Sequence, residues 1–300
     1  WDFSKKADIK LGGKKSLEAL SQSGAFDNIA PSRTVAIACI EDMLKDSTKA
    51  ANGSSVKSGD LFASIDEDFD PYEKYKNLPD LTMSELLSLE KKSLGYYLSG
   101  HPVDAIGGKI EKLRSRKIGD ITNDIKKASL VCLINSARQI KDRKGNPLTF
   151  INFDDGSGVM DGVVASDTLE TCHGILKEGS ILILKGTIEL DDYKSKDLGD
   201  AMYRMRVREV HSLDTELERK VREIMINIEK SDVSSLDALS EKLGEIKDDF
   251  WVHGSCQLNI KVKTGKSEAI ISAGEKFKFP PTLINLTYLE EIFGTNALEI

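Results

Sequence analysis

The residues best suited to chemistry in this 300-residue chain are cations at regular spacing, not acids or nucleophiles. Arg204, Arg206 and Arg208 recur at spacing two, so in a strand all three project from one face and leave Tyr203, Met205 and Val207 for the other. Two loops add to them, one carrying Lys141, Arg143 and Lys144 and the other Tyr193, Lys194 and Lys196. Guanidinium and ammonium groups along a groove neutralise phosphates, and an exposed ring stacks on a base. That combination points to single-stranded nucleic acid. A merely solvated face is the competing explanation, because residues 128–213 hold eleven Lys and Arg against thirteen Asp and Glu, a net of −2. The expected site is therefore a local patch with weak affinity.

Catalysis requires convergent acids, a nucleophile with its base, a phosphate cradle or metal ligands, and the sequence assembles none of these. Gly156-Ser157-Gly158 lacks the lysine and helix that follow a phosphate loop. Asp154 and Asp155 are adjacent and so face opposite sides of a strand, while Asp191 and Asp192 read as loop solvation. No metal and no cofactor is expected for this stretch. Cys39, Cys132, Cys172 and Cys256 lie far apart without a CxxC pair, which fits reduced thiols of a cytoplasmic protein. A net charge of −7 argues against indiscriminate adhesion to nucleic acid. No apolar run approaches the ~20 residues of a membrane-spanning helix, so no membrane partner is expected. The chain opens at Trp1-Asp2-Phe3 without Met, which reads as a start inside a longer polypeptide.

The elements that must position these residues are strands. Residues 129–134 are apolar and rich in branched side chains, 147–154 place Ile151 and Phe153 on one face, and 159–165 alternate. Residues 167–176 have helical spacing through Leu169, Cys172 and Leu176. Strands at 180–189 and 201–213 follow. Three strands, a helix and two strands is the order of an OB-fold barrel, which binds along its second and third strands between the first-second and fourth-fifth loops.

Around this centre the pattern predicts an α+β, multidomain chain. Residues 1–45 form trailing helices, one over 16–23 and one from Pro31 or Ser32 to about Lys45 with Val35, Ala38, Cys39 and Met43 as its stripe. Residues 46–80 have the composition of an acidic linker, interrupted by Ser58-Gly59-Asp60-Leu61-Phe62, which suits either local docking or a short motif for a partner's pocket. Residues 81–114 are a helical connector: Thr82 and Glu85 make a capping box, the helix runs to about Ser99, Gly100 stops it, and 106–113 is a further short helix. The barrel domain spans 115–213. Residues 214–300 are a small β-α-β-β-β-α domain entered through a charged connector, with a last strand through Phe277 and Phe279 and a last helix stopped by Gly294.

Several stretches together resemble the DNA polymerase III alpha subunit family of bacterial replicative polymerases. Leu17-Glu-Ala-Leu-Ser-Gln-Ser-Gly-Ala-Phe-Asp27, followed by Arg33, is similar to the family's GAFD stretch. Glu90-Lys-Lys-Ser-Leu-Gly-Tyr-Tyr-Leu-Ser-Gly-His-Pro102 is similar to its longer LG-x-YL-[ST]-GHP pattern. Lys144-Gly145, residues 153–158, residues 181–186, and Pro280, Leu283, Leu289 and Gly294 fit as well. The resemblance covers essentially the whole chain and makes Ile300 its natural end. It implies a carboxyl-terminal, non-catalytic region of a Mg²⁺-using polymerase, without the palm carboxylates. It further implies an OB domain near single-stranded template and a last domain that binds the tau subunit of the clamp loader. Ser58, Gly59, Asp60, Leu61 and Phe62 fall where the family carries its motif for the beta sliding clamp, with Ser58 in place of the usual Gln. A stand-alone OB-fold protein of single strands or tRNA, and the tail of an error-prone polymerase paralogue, are the other readings.

Overall fold

The computed structural model describes residues 9–51, 70–141, 145–172, 174–191, 195, 201–230, 236–246, 248–251, 254–264, 267–294 and 297–300. They belong to two compact units, Trp1–Ala105 and Ile106–Ile300. Residues 58–62 lie outside the described residues.

The first unit is helical: α1 (Ile9–Gln22), α2 (Arg33–Ala38), α3 (Ile40–Ala51), α4 (Met83–Leu94) and α5 (Pro102–Ala105). Leu17, Phe26, Ala36 and Ile40 make its core, with Ala30 and Leu44 against them. The single helix expected from Ser32 is two, because the Cys39 amide bonds to the carbonyls of both Val35 and Ile37 and tightens the turn there. The stripe is corrected accordingly: Ala36 and Ile40 are buried, while Ala38 is exposed. The capping box on α4 forms as expected, with Thr82 Oγ1 accepting from the Glu85 amide at 3.3 Å and the Glu85 carboxylate from the Thr82 amide at 2.9 Å. The helix ends at Gly95 (φ 83), not Gly100. Glu90 explains the early stop: its buried carboxylate accepts from the amides of Leu98 and Ser99 at 2.7 and 2.9 Å and meets Arg33 Nη1 at 3.0 Å. These bonds fold the following turn back onto the helix.

The second unit opens with a 3-10 turn, Gly107–Ile110, in place of the short helix expected there. The barrel follows: β1 (Lys127–Lys141), β2 (Pro147–Asp154), β3 (Val159–Ala165), α6 (Ser166–Thr171), β4 (Ile181–Leu190) and β5 (Tyr203–Ser212). It closes in the order β1-β2-β3-β5-β4, with β3 and β5 parallel and every other pair antiparallel. This is the OB fold that the strand and helix order predicts. β1 is long enough to serve two partners. Its first half pairs with β4 and its second with β2, and a register shift between Ile134 and Ser136 marks the bend. Leu130, Cys132, Ile134, Ile151, Phe153, Met205 and Val207 fill the interior. Asp155 is structural: one carboxylate oxygen accepts from the Ile118 amide at 2.8 Å and the other from Ser157 Oγ at 2.6 Å, which ties the β2–β3 turn to the segment leading into the barrel.

The rest of the unit comprises α7 (Leu213–Lys220), β6 (Glu223–Asn227), α8 (Leu236–Glu245), β7 (Cys256–Thr264), β8 (Ser267–Ser272), β9 (Lys278–Phe279), α9 (Leu283–Phe293) and β10 (Leu298–Glu299). Its sheet runs β10-β6-β7-β8, with β9 also on β7. The expected charged connector is helix α7, capped by Ser212 and buried through Leu213 and Leu217. Phe277 sits in a 3-10 turn, and only Lys278 and Phe279 pair as a strand. Polar bonds link the two helices α7 and α9 to each other, to the barrel and to the turn that precedes it. Glu216, fully buried, meets Lys185 of β4 at 2.9 Å; Asp214 accepts from the Leu283 amide at 2.8 Å; and Glu290 pairs with Lys109.

Candidate nucleic-acid interface

Part of the barrel's outer surface is already covered. Val131, Leu133 and Ile183 alternate with interior residues, so they point outward, yet all three are buried. Helix α7 packs on β4 and β5 at that end. The outer face that stays open is built from the second half of β1, from β2, from β3, from the start of β5 and from the end of β4.

Cross-strand register sets two rows on that face. Arg138, Phe150, Val163, Arg206 and Thr187 lie directly opposite one another on successive strands, and Ser136, Asn152, Asp161, Arg204 and Glu189 form the next row. Partners in register share a side of the sheet, with about 4.8 Å between strands. An exposed phenyl ring, Phe150 at 45% of its full exposure, therefore stands one strand from Arg138 and two strands from Arg206. Beside it, Asn135 Nδ2 donates to Asn152 Oδ1 at 3.2 Å and Asn152 Nδ2 to Asp161 Oδ1 at 2.8 Å, a side-chain ladder that holds the row in place.

Arg204, Arg206 and Arg208 are exposed on β5, with Met205 and Val207 buried between them. A register shift between Lys185 and Gly186 of β4 follows, and both Arg208 and Glu209 end up exposed. Glu189 sits between two of these arginines, with Oε1 3.3 Å from Arg206 Nε and Oε2 3.6 Å from Arg204 Nη2. Lys141 is exposed at the end of β1. Arg143, Lys144, Tyr193, Lys194 and Lys196 lie outside the described residues. Arg138 and Phe150 are the residues the sequence reading missed. The signal was present, since Ile151 and Phe153 facing the core leave Phe150 on the outward parity.

Among the described residues no group of three or more His, Cys, Asp and Glu could hold a metal, and no helix is long and apolar enough to cross a membrane. The four cysteines are free and buried, and burial pushes the Cys256 thiol up to about 12.

A family model for an OB-fold nucleic acid binding domain matches residues 130–213. DNA polymerase III subunit alpha of Pseudomonas fluorescens is 24% identical over 98% of this chain, and that of Haemophilus influenzae 26% identical over all of it. Over its whole length the chain is similar to DNA polymerase III subunit alpha. The polymerase III alpha subunit of Neisseria meningitidis serogroup B reaches 30% identity over 75% of the chain. The chain spans about a quarter of the length of these Pseudomonas and Haemophilus polymerase III alpha relatives. Among solved structures, the SSB domain of a Synechococcus protein and the mitochondrial single-stranded DNA binding protein Rim1 of S. cerevisiae each cover 30% of the chain. They are 9% and 10% identical to it, each with a TM-score of 0.25, and the matched regions are 99% and 97% of those chains.

Proposed function

We propose that this chain is a non-catalytic, carboxyl-terminal part of a cytoplasmic replicative polymerase of the polymerase III alpha type, and that its barrel holds single-stranded DNA on the open face. The observation that carries this reading is the row Arg138–Phe150–Val163–Arg206. A ring in water between two guanidinium groups suits a base stacked on carbon and phosphates on either side. Arg204, Arg208 and Lys141 extend the cationic track along β5 and at the end of β1, and the loop cations Arg143, Lys144, Lys194 and Lys196 with Tyr193 belong to the same proposal. Few phosphates are engaged, so affinity is low and the salt slope is a small number. The partner contacts proposed from the polymerase resemblance are the beta sliding clamp at Ser58, Gly59, Asp60, Leu61 and Phe62 and the clamp-loader tau subunit on the terminal domain.

Fluorescence anisotropy of a labelled oligothymidylate at low salt tests the barrel reading. Phe150→Ala removes a stacking platform worth about 1–3 kcal/mol, an affinity loss of roughly fivefold to a hundredfold. Arg206→Ala flattens the salt dependence by about one unit of slope. If both variants bind as the parent does, the strand runs elsewhere.

A further inference from the structure

The open face carries two carboxylates, Asp161 on β3, held by the Asn152 side-chain amide at 2.8 Å, and Glu189 near the end of β4. Glu189 stands directly opposite Arg204 in the β4–β5 ladder, and Thr187, two residues earlier on its own strand, stands opposite Arg206. Each carboxylate oxygen engages a different arginine, Oε1 with Arg206 and Oε2 with Arg204, and the side chain keeps 36% of its exposure. It is neither buried nor needed by the barrel interior. Its neighbours are two of the three β5 arginines that the single-strand reading assigns to phosphate.

We propose that Glu189 is a built-in competitor for phosphate that sets how tightly the barrel grips a strand; this rests on the reading of the open face as a single-strand site. A phosphate arriving at Arg204 and Arg206 must either displace the carboxylate from both guanidinium groups or lie beside a like charge. Both routes weaken the grip, and neither removes a cation. The arginines stay oriented by Glu189 while the strand is absent, and the exchange of one anion for another keeps the strand free to slide. The same logic makes the effect specific to position: Glu189 acts through Arg204 and Arg206, and Arg208 lies beyond its two engaged oxygens.

The test uses the full chain and the same labelled oligothymidylate. Glu189→Gln keeps the shape and removes the charge. It is expected to bind about three- to tenfold tighter at low salt, with a steeper salt dependence. In an Arg204→Ala/Arg206→Ala background the gain falls below about twofold, whereas it persists in Arg208→Ala, as a double-mutant cycle requires of a local interaction. Glu178→Gln, which removes an equal charge from an exposed loop site, serves as the comparison. The proposal is overturned if the parent binds and Arg206→Ala weakens it while Glu189→Gln changes nothing. An equal gain from Glu178→Gln, or a gain that survives loss of both arginines, also overturns it. If neither the parent nor Glu189→Gln binds a strand, the single-strand reading falls and the competitor falls with it.

Discussion

Glu90 illustrates how much one side chain settles in the helical unit. Fully buried, it is stabilised only by its partners: Ser99 Oγ, the Ser99 and Leu98 amides, and Arg33, which Asp27 also holds, at 2.6 Å. Burial pushes the carboxyl up, but the Ser99 and Leu98 hydrogen bonds and Arg33 outweigh it and bring it down to about 2. A carboxyl depressed in the folded state contributes stability that is present above its unfolded value, near 4.5, and is lost as pH falls through about 2. That contribution is on the order of 3 kcal/mol. Denaturant unfolding of parent and Glu90→Gln across this acid window should therefore converge as pH drops, with the variant less stable at neutral pH. Parallel curves would mean that the carboxylate is not the group that titrates. None of this was visible in the helical periodicity of α4, because the partners of Glu90 lie eight and nine residues ahead and 57 residues back. The arginines of β5, by contrast, were legible, since strand parity alone assigns them to water.

At the scale of elements, the barrel strands were readable because each buries one parity and exposes the other, a pattern that needs no knowledge of neighbours. Elements that depend on distant partners were not. The charges of α7 hid a helix whose buried Glu216 is neutralised by Lys185 from another element, and the two-residue strand β10 is too short to show a period, whereas β9 was legible from Phe277 and Phe279 although it begins only at Lys278. Gly186 gives this scale its prediction. It sits where the β4–β5 register shifts, and a Cβ there would come within 2.2 Å of the Arg206 carbonyl oxygen and 2.9 Å of its carbon. Backbone cannot step aside as a side chain tip can. Gly186→Ala is expected to cost at least about 2 kcal/mol in unfolding free energy, and to weaken strand binding by moving Arg206. Thermal unfolding indistinguishable from the parent would show that the two strands can part without consequence.

For the whole molecule, the proposed tether at residues 58–62 joins grip on a strand to grip on a ring. Burying Leu61 and Phe62 yields about 1.5–3 kcal/mol each before ordering costs, together about 3–6 kcal/mol, which corresponds to an affinity between roughly millimolar and tens of micromolar. Calorimetry against the beta sliding clamp should show binding abolished by Leu61→Ala with Phe62→Ala and tightened by Ser58→Gln. Unchanged affinity in the double alanine variant would place the clamp contact elsewhere.

The bonds made by Asp214, Glu216 and Glu290 have a mechanical consequence. Glu216 ties α7 to barrel strand β4, Asp214 ties α7 to the first turn of α9, and Glu290 ties α9 to the turn that leads into the barrel. Load that reaches α9 is then divided between two ties, one through α7 to β4 and one through Lys109. The barrel and the last helix are therefore joined as by the two legs of a trestle, and the loss of either leg leaves the other to carry the load.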